Sequence, residues 1–146
     1  SEIPDEVTLA INLSNCPNKC KGCHSPWLMD DIGEELTNSA LSNLIQKYED
    51  EITCICFMGG DIDPKRVNEL AQYIHDDWNQ INVGWYSGKS ENPDCISVKN
   101  FQYIKLGGYK EHLGGLNSPQ TNQRLYKCLP NGEKVDITFK FQKKQL

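Results

Sequence analysis

The sequence predicts one α/β domain built on a mostly parallel sheet. Three observations carry this. Runs rich in β-branched and apolar residues alternate with stretches of helical periodicity from Val7 to Gly107. The run "ITCICFM", Ile52 to Met58, is apolar on both faces, as a strand covered by helices on both sides would be. Two strand-like runs near the end flank "PNG", which signals a β-hairpin. With 146 residues the chain is read as a single domain, 1–146, large enough to bury a core without disulfides.

The first strand is "VTLAINL", Val7 to Leu13, and it runs directly into a cysteine-rich loop. A helix follows, with Thr37 as N-cap and Leu36 and Leu41 as a hydrophobic staple. Its apolar stripe is Leu41, Leu44, Ile45 and Tyr48, at the i, i+3, i+4, i+7 spacing. The second strand, 52–58, ends in "GGD", Gly59 to Asp61. Asp63 and Pro64 suit the N-cap and N1 positions of a second helix with the stripe Val67, Leu70, Ala71 and Ile74. "INVGWYSG", 81–88, is the third strand, and "FQYIKLG", 101–107, the fourth. Between them, Lys89 to Asn100 is polar and reads as a loop or a short helix. A glycine-rich loop precedes "NQRLYKCL" and "KVDITFKF", read as two strands. In such sheets ligands collect at the carboxyl ends of the strands, where the cysteine loop, "GGD" and "YSG" all fall.

The formal net charge of −5 argues against nucleic-acid binding, which needs a basic face. No apolar run is long enough to cross a membrane, and the first residues do not resemble a signal peptide. The seven cysteines are odd in number, and three crowd into "NCPNKCKGCH". That crowding does not suit a disulfide framework, so the expectation is a reducing, cytoplasmic protein with a metal site. Cys54 and Cys56 lie on one strand face and read as core.

Clustered thiolates select zinc or iron–sulfur clusters. A structural zinc site needs four ligands, and the loop offers three, Cys16, Cys20 and Cys23. An electron-transfer 4Fe–4S cluster also takes four. Three thiolates on such a cluster would leave one iron open to a substrate or cofactor.

The order Cys, three residues, Cys, two residues, Cys after a first strand, with "MGGD" closing the next, resembles the radical S-adenosylmethionine (SAM) superfamily. Within it, "CPNKCKGCHSP" and "FQYIKLGGYKEHLGGLNSPQTNQRLY" resemble the activating proteins of anaerobic ribonucleoside-triphosphate reductase, which are glycyl radical enzyme activases. The resemblance runs from Val7 to Tyr126. It implies a small, partial (βα) barrel-like sheet of the radical SAM type with a C-terminal β-hairpin. It also implies an oxidoreductase with two cofactors, a 4Fe–4S cluster and SAM. Cys16, Cys20 and Cys23 would hold the cluster, and the SAM amino and carboxylate groups would chelate the open iron. Reductive cleavage of SAM would yield a 5′-deoxyadenosyl radical that takes a hydrogen atom from a glycine Cα. The implied partners are the large reductase subunit, through its glycyl radical loop, and an electron donor such as flavodoxin or ferredoxin.

For SAM the resemblance points to Gly59, Gly60 and Asp61 at the methionine amino group, and to Ser87 at a ribose hydroxyl or the carboxylate. It points to Lys105 at the methionine carboxylate and His24 on the adenosine side. Each has a plainer reading: tight turns for the glycines and Ser87, a surface lysine, and a polar loop histidine. Lys19 and Lys21 would favour the reduced cluster or stay solvated; Gly22 replaces an aromatic residue common elsewhere, which leaves Trp27 as a candidate only by proximity. Asn122, Gln123 and Arg124 match a family "NQR" with no role assigned beyond contact with the reductase. "SEIPDEVTLAINLSNC" lacks the glycine motif usual before the cysteines, which fits a divergent branch or a trimmed start. Two other readings stand beside the activase: a small radical SAM enzyme acting on another glycyl radical enzyme or a small molecule, and a non-enzymatic zinc-binding module.

Overall fold

A computed structural model describes residues 3–13 and 36–142. Six strands form one sheet in the order β1 to β6: Thr8–Leu13, Cys54–Gly59, Asn82–Tyr86, Tyr103–Leu106, Arg124–Cys128 and Lys134–Asp136. The first four run parallel to one another, and β4–β5 and β5–β6 pair antiparallel. Two helices, α1 (Asn38–Tyr48) and α2 (Pro64–Asp77), fill the first two crossovers. The third crossover carries only a short 3-10 turn, Val98–Asn100.

Local chemistry sets the helix starts. The Thr37 hydroxyl accepts from Ala40 N at 3.0 Å, which satisfies one of the orphan amides of α1. Asp63 does the same for Arg66 N at 3.2 Å, with Pro64 at the first position of α2. From α1, Leu41 and Ile45 are buried; from α2, Val67, Leu70, Ala71 and Ile74 are. All six join one core with Ile55, Phe57, Val83, Trp85 and Ile104 from the strands. Fully buried side chains of this size stabilise by about 1.5–3 kcal/mol each.

Both helices therefore pack on one face of the sheet, which corrects the expectation that β2 lies between helices. Strands in sequential order with crossovers of one hand place every helix on the same side. The apolar opposite face of β2, with Cys54 and Cys56 fully buried, meets a second cluster instead. Ile3, Tyr103, Leu125 and Ile137 build that cluster. Glu6 ties the amino end of this face together: its carboxylate accepts from Thr53 Oγ1 at 2.5 Å, Asn82 Nδ2 at 2.8 Å and Tyr103 Oη at 2.7 Å. One carboxylate thus spans β3, β4 and the approach to β2.

The last strand is shorter than its sequence suggests. "KVDITFKF" reads as a strand to Phe141, but pairing stops at Asp136 and Thr138–Phe141 forms a 3-10 turn. Asp136 Oδ1 accepts from Thr138 N at 2.9 Å, a side-chain bond that turns the backbone out of the ladder. The Thr138 hydroxyl then accepts from Leu125 N at 2.8 Å. Among the described residues no helix is long and apolar enough to cross a membrane.

Candidate functional site

The carboxyl ends of the four parallel strands bring the described candidate residues together. Leu13 closes β1 in register with Gly59 of β2, and Cys16 follows three residues later in the sequence. Cys16, Cys20, Cys23 and His24, with Lys19, Lys21, Gly22 and Trp27, lie outside the described residues.

Two glycines turn the chain off β2 with positive φ, +96° at Gly59 and +84° at Gly60. Side-chain residues avoid that region. A Cβ on Gly60 would stand 2.7 Å from both Leu13 Cδ1 and Val67 Cγ2, so the turn is wedged between the end of β1 and the start of α2. The Gly59 carbonyl accepts from the Trp85 indole at 2.6 Å, and the Gly60 carbonyl accepts from Asp63 N at 3.1 Å. Each carbonyl oxygen has a second lone pair beyond these bonds.

Asp61 is buried and joins the ends of β2 and β3. Its Oδ1 accepts from the Ser87 hydroxyl at 2.5 Å and its Oδ2 from Gly88 N at 2.8 Å. Ser87 is fully buried, and its oxygen accepts from Lys89 N at 3.0 Å. Its single hydroxyl proton goes to Asp61. In this geometry Ser87 braces the ends of β2 and β3. Asp61, expected beside an ammonium group, is also a strand-end clamp here.

Lys105 is buried at the end of β4 and is not a surface lysine. Its ammonium donates to the Ser87 and Gly107 carbonyls, each at 3.1 Å, and lies 5.4 Å from the centre of the Tyr86 ring. Ser87 N donates in turn to the Lys105 carbonyl at 2.8 Å. Asp61, Ser87 and Lys105 thus form one continuous polar path across the ends of β2, β3 and β4. Gly59 and Gly60 lie at its β1 side.

Alternation along the strands sets Lys105 in a row with three residues that were given no role from the sequence. Asn12, Met58, Tyr86 and Lys105 are register partners across the sheet, on the face away from the helices. Asn12 is exposed, Met58 and Tyr86 are half-buried, and Lys105 is buried. Counting by twos from each strand end would have found the row, had the register been known. Gln123 is also buried near this edge, a position the sequence marked without a role.

Four cysteines lie among the described residues. Cys54, Cys56 and Cys128 are buried and Cys95 is exposed, all four as free thiols. Burial, reinforced by the nearby Glu6 charge, pushes the Cys54 thiol up to about 12. Burial likewise raises Cys128 to about 11. Both shifts reflect an apolar setting that disfavours the thiolate. Among the described residues no three His, Cys, Asp or Glu side chains group into a metal site.

Compared with protein-family models, curated proteins and solved structures, the chain matches none.

Proposed function

We propose that the chain is a radical SAM activase that generates a glycyl radical on the large subunit of an anaerobic ribonucleotide reductase. Its fold would be a small, partial (βα) barrel of the radical SAM type, completed by a C-terminal β-hairpin. One observation carries the reading. Leu13 closes β1 in register with Gly59, at the head of the Gly59–Asp61 turn, and Cys16, Cys20 and Cys23 follow Leu13 in the sequence. The donor chemistry fits, because three clustered thiols suit a 4Fe–4S cluster with an open iron, and the described cysteines offer no rival set. Held by Cys16, Cys20 and Cys23, such a cluster would supply one-electron reduction of SAM, with the resulting 5′-deoxyadenosyl radical taking a hydrogen atom from a glycine Cα of the partner.

The chain's own residues hold and orient the ligand. Gly59 and Gly60 would let the backbone come close to the amino end of SAM, where carbonyl oxygens suit an ammonium. The Lys105 ammonium suits the methionine carboxylate. Asp61 and Ser87 keep the strand ends in place around both, and His24 serves the adenosine side. An outside reductant such as flavodoxin or ferredoxin delivers the electron.

The test is anaerobic reconstitution with iron and sulfide, then reduction in the presence of SAM. Formation of 5′-deoxyadenosine and methionine is the expected result, and a cluster-loaded protein that forms neither sinks the proposal. Zinc without iron in anaerobically prepared protein points to the binding-module reading instead. A glycyl signal in electron paramagnetic resonance, on adding the reductase, separates the activase from an enzyme with a small substrate. Cys20→Ser is expected to lose most of the bound iron.

A further inference from the structure

We infer that Gln123, helped by Asn122, is the positioning residue that sets where the Lys105 ammonium is presented at the carboxyl edge. The functional half of this inference rests on the SAM reading above; the structural half does not.

The Gly107 carbonyl is one of two backbone oxygens that seat the Lys105 ammonium. That same oxygen accepts from Gln123 Nε2 at 3.3 Å. Gln123 is 7% exposed, on the far side of a long loop from Gly107, so a buried amide has been brought back to grip this carbonyl. Asn122 grips the next one, with Nδ2 donating to the Gly108 carbonyl at 3.0 Å. Its Oδ1 is buried and takes no hydrogen bond among the described residues. A buried polar atom without a partner is costly, so the amide is kept for what its nitrogen does.

The fit is close enough to dictate residue types. Gly107 has a φ of +106°, and a Cβ there would lie 3.1 Å from Asn122 O and Gln123 Cα. Both are backbone atoms, which cannot swing aside as a side-chain tip can. Thr121, also buried, locks the other side of the wedge: its hydroxyl donates to the Gly114 carbonyl at 3.2 Å and accepts from Gln123 N at 3.0 Å. Residues 121–123 therefore press on the Gly107–Gly108 turn through backbone contact and through two amide grips. The turn holds the carbonyl, and the carbonyl holds the ammonium. In this geometry the "NQ" pair faces the protein's own turn, a role different from contact with the reductase.

Gln123→Met removes the amide and keeps the length; Gln123→Asn keeps the amide but withdraws it by one methylene. Two readouts separate the claims. The first needs no SAM: reductive methylation of Lys105 by formaldehyde and cyanoborohydride, followed by mass spectrometry. Either variant is expected to speed Lys105 labelling by about three- to tenfold, the range of one lost hydrogen bond. Unchanged labelling in a folded variant overturns the inference.

The second readout is a double-mutant cycle in the cluster-loaded full chain. Gln123→Met should raise the SAM concentration needed for half-saturation while leaving the saturating cleavage rate within about twofold. Adding it to Lys105→Met should change nothing further, because Gln123 acts through the lysine. Additive losses mean that Gln123 is a general stabiliser and refute the positioning role. If the wild-type protein neither binds nor cleaves SAM, the functional proposal fails, and labelling alone still decides the structural claim.

Discussion

Gly60→Ala tests how tightly the end of β1 is held against the β2 turn. Two penalties add at this position. The backbone sits at φ +84°, which costs a residue with a Cβ about 1–2 kcal/mol. The new methyl would also meet Leu13 Cδ1 and Val67 Cγ2 at 2.7 Å. Both are side-chain tips, so part of the clash relaxes, and overpacking of this kind costs about 1–3 kcal/mol. The sum is about 2–5 kcal/mol, a large part of the roughly 5–15 kcal/mol that holds a domain together. Gly132→Ala is the control. Gly132 has a similar φ of +91°, but nothing lies within 4 Å of its would-be Cβ. It should lose only the backbone part. In urea, at roughly 2 kcal/mol per molar, the Gly60 midpoint should fall by about 1–2.5 M and the Gly132 midpoint by at most about 1 M. Equal losses in the two variants would refute the wedge, since φ alone would then explain both.

Other outcomes follow from the polar contacts. Ser87→Ala removes the donor to Asp61 Oδ1 and the acceptor of Lys89 N, so it should cost about 1.5–3 kcal/mol in chemical denaturation. A loss below about 0.5 kcal/mol would deny the clamp. Glu6→Ala leaves Thr53, Asn82 and Tyr103 without their shared acceptor, with a comparable loss expected in thermal unfolding; a melting temperature equal to wild type contradicts the tie. The pH dependence has a definite sign. Cys54 and Cys128 bind their protons more tightly folded than unfolded, with burial pushing the thiols up to about 12 and about 11. The unfolded chain therefore releases these protons first, and stability should fall as pH rises from about 9 towards 12. Cys54→Ala should flatten that fall; an unchanged slope refutes it.

Local signals in the sequence located what local chemistry decides. The caps at Thr37 and Asp63 and the α2 stripe are written in adjacent residues, and each forms as read. The side on which a helix packs is not local. β2 is apolar on both faces whether its second cover is a helix or the cluster of Ile3, Tyr103, Leu125 and Ile137. The meeting of Gly59–Asp61, Ser87 and Lys105 followed from parallel strands sharing a carboxyl edge. The specific bonds did not, because Asp61 and Ser87 are 26 positions apart and no periodicity encodes a pair at that distance. Gln123 was visible only as part of a motif, and its grip on Gly107 depends on the path of the intervening loop.

The carboxylate tie at Glu6 has a kinetic consequence. Its bond to Tyr103 spans 97 positions, and the nearby Asp5–Lys140 ion pair, at 2.7 Å, spans 135. Contacts between neighbouring elements, such as β1 with β2, close much shorter loops and form first. Both faces need β4, which gives Ile104 to the helix side and Tyr103 to the other, but the Glu6 face also waits for the residues around Lys140. We expect that face to seal last during folding and to open early in native-state fluctuations. Amides of residues 3–6 should therefore exchange with solvent well before those of β2.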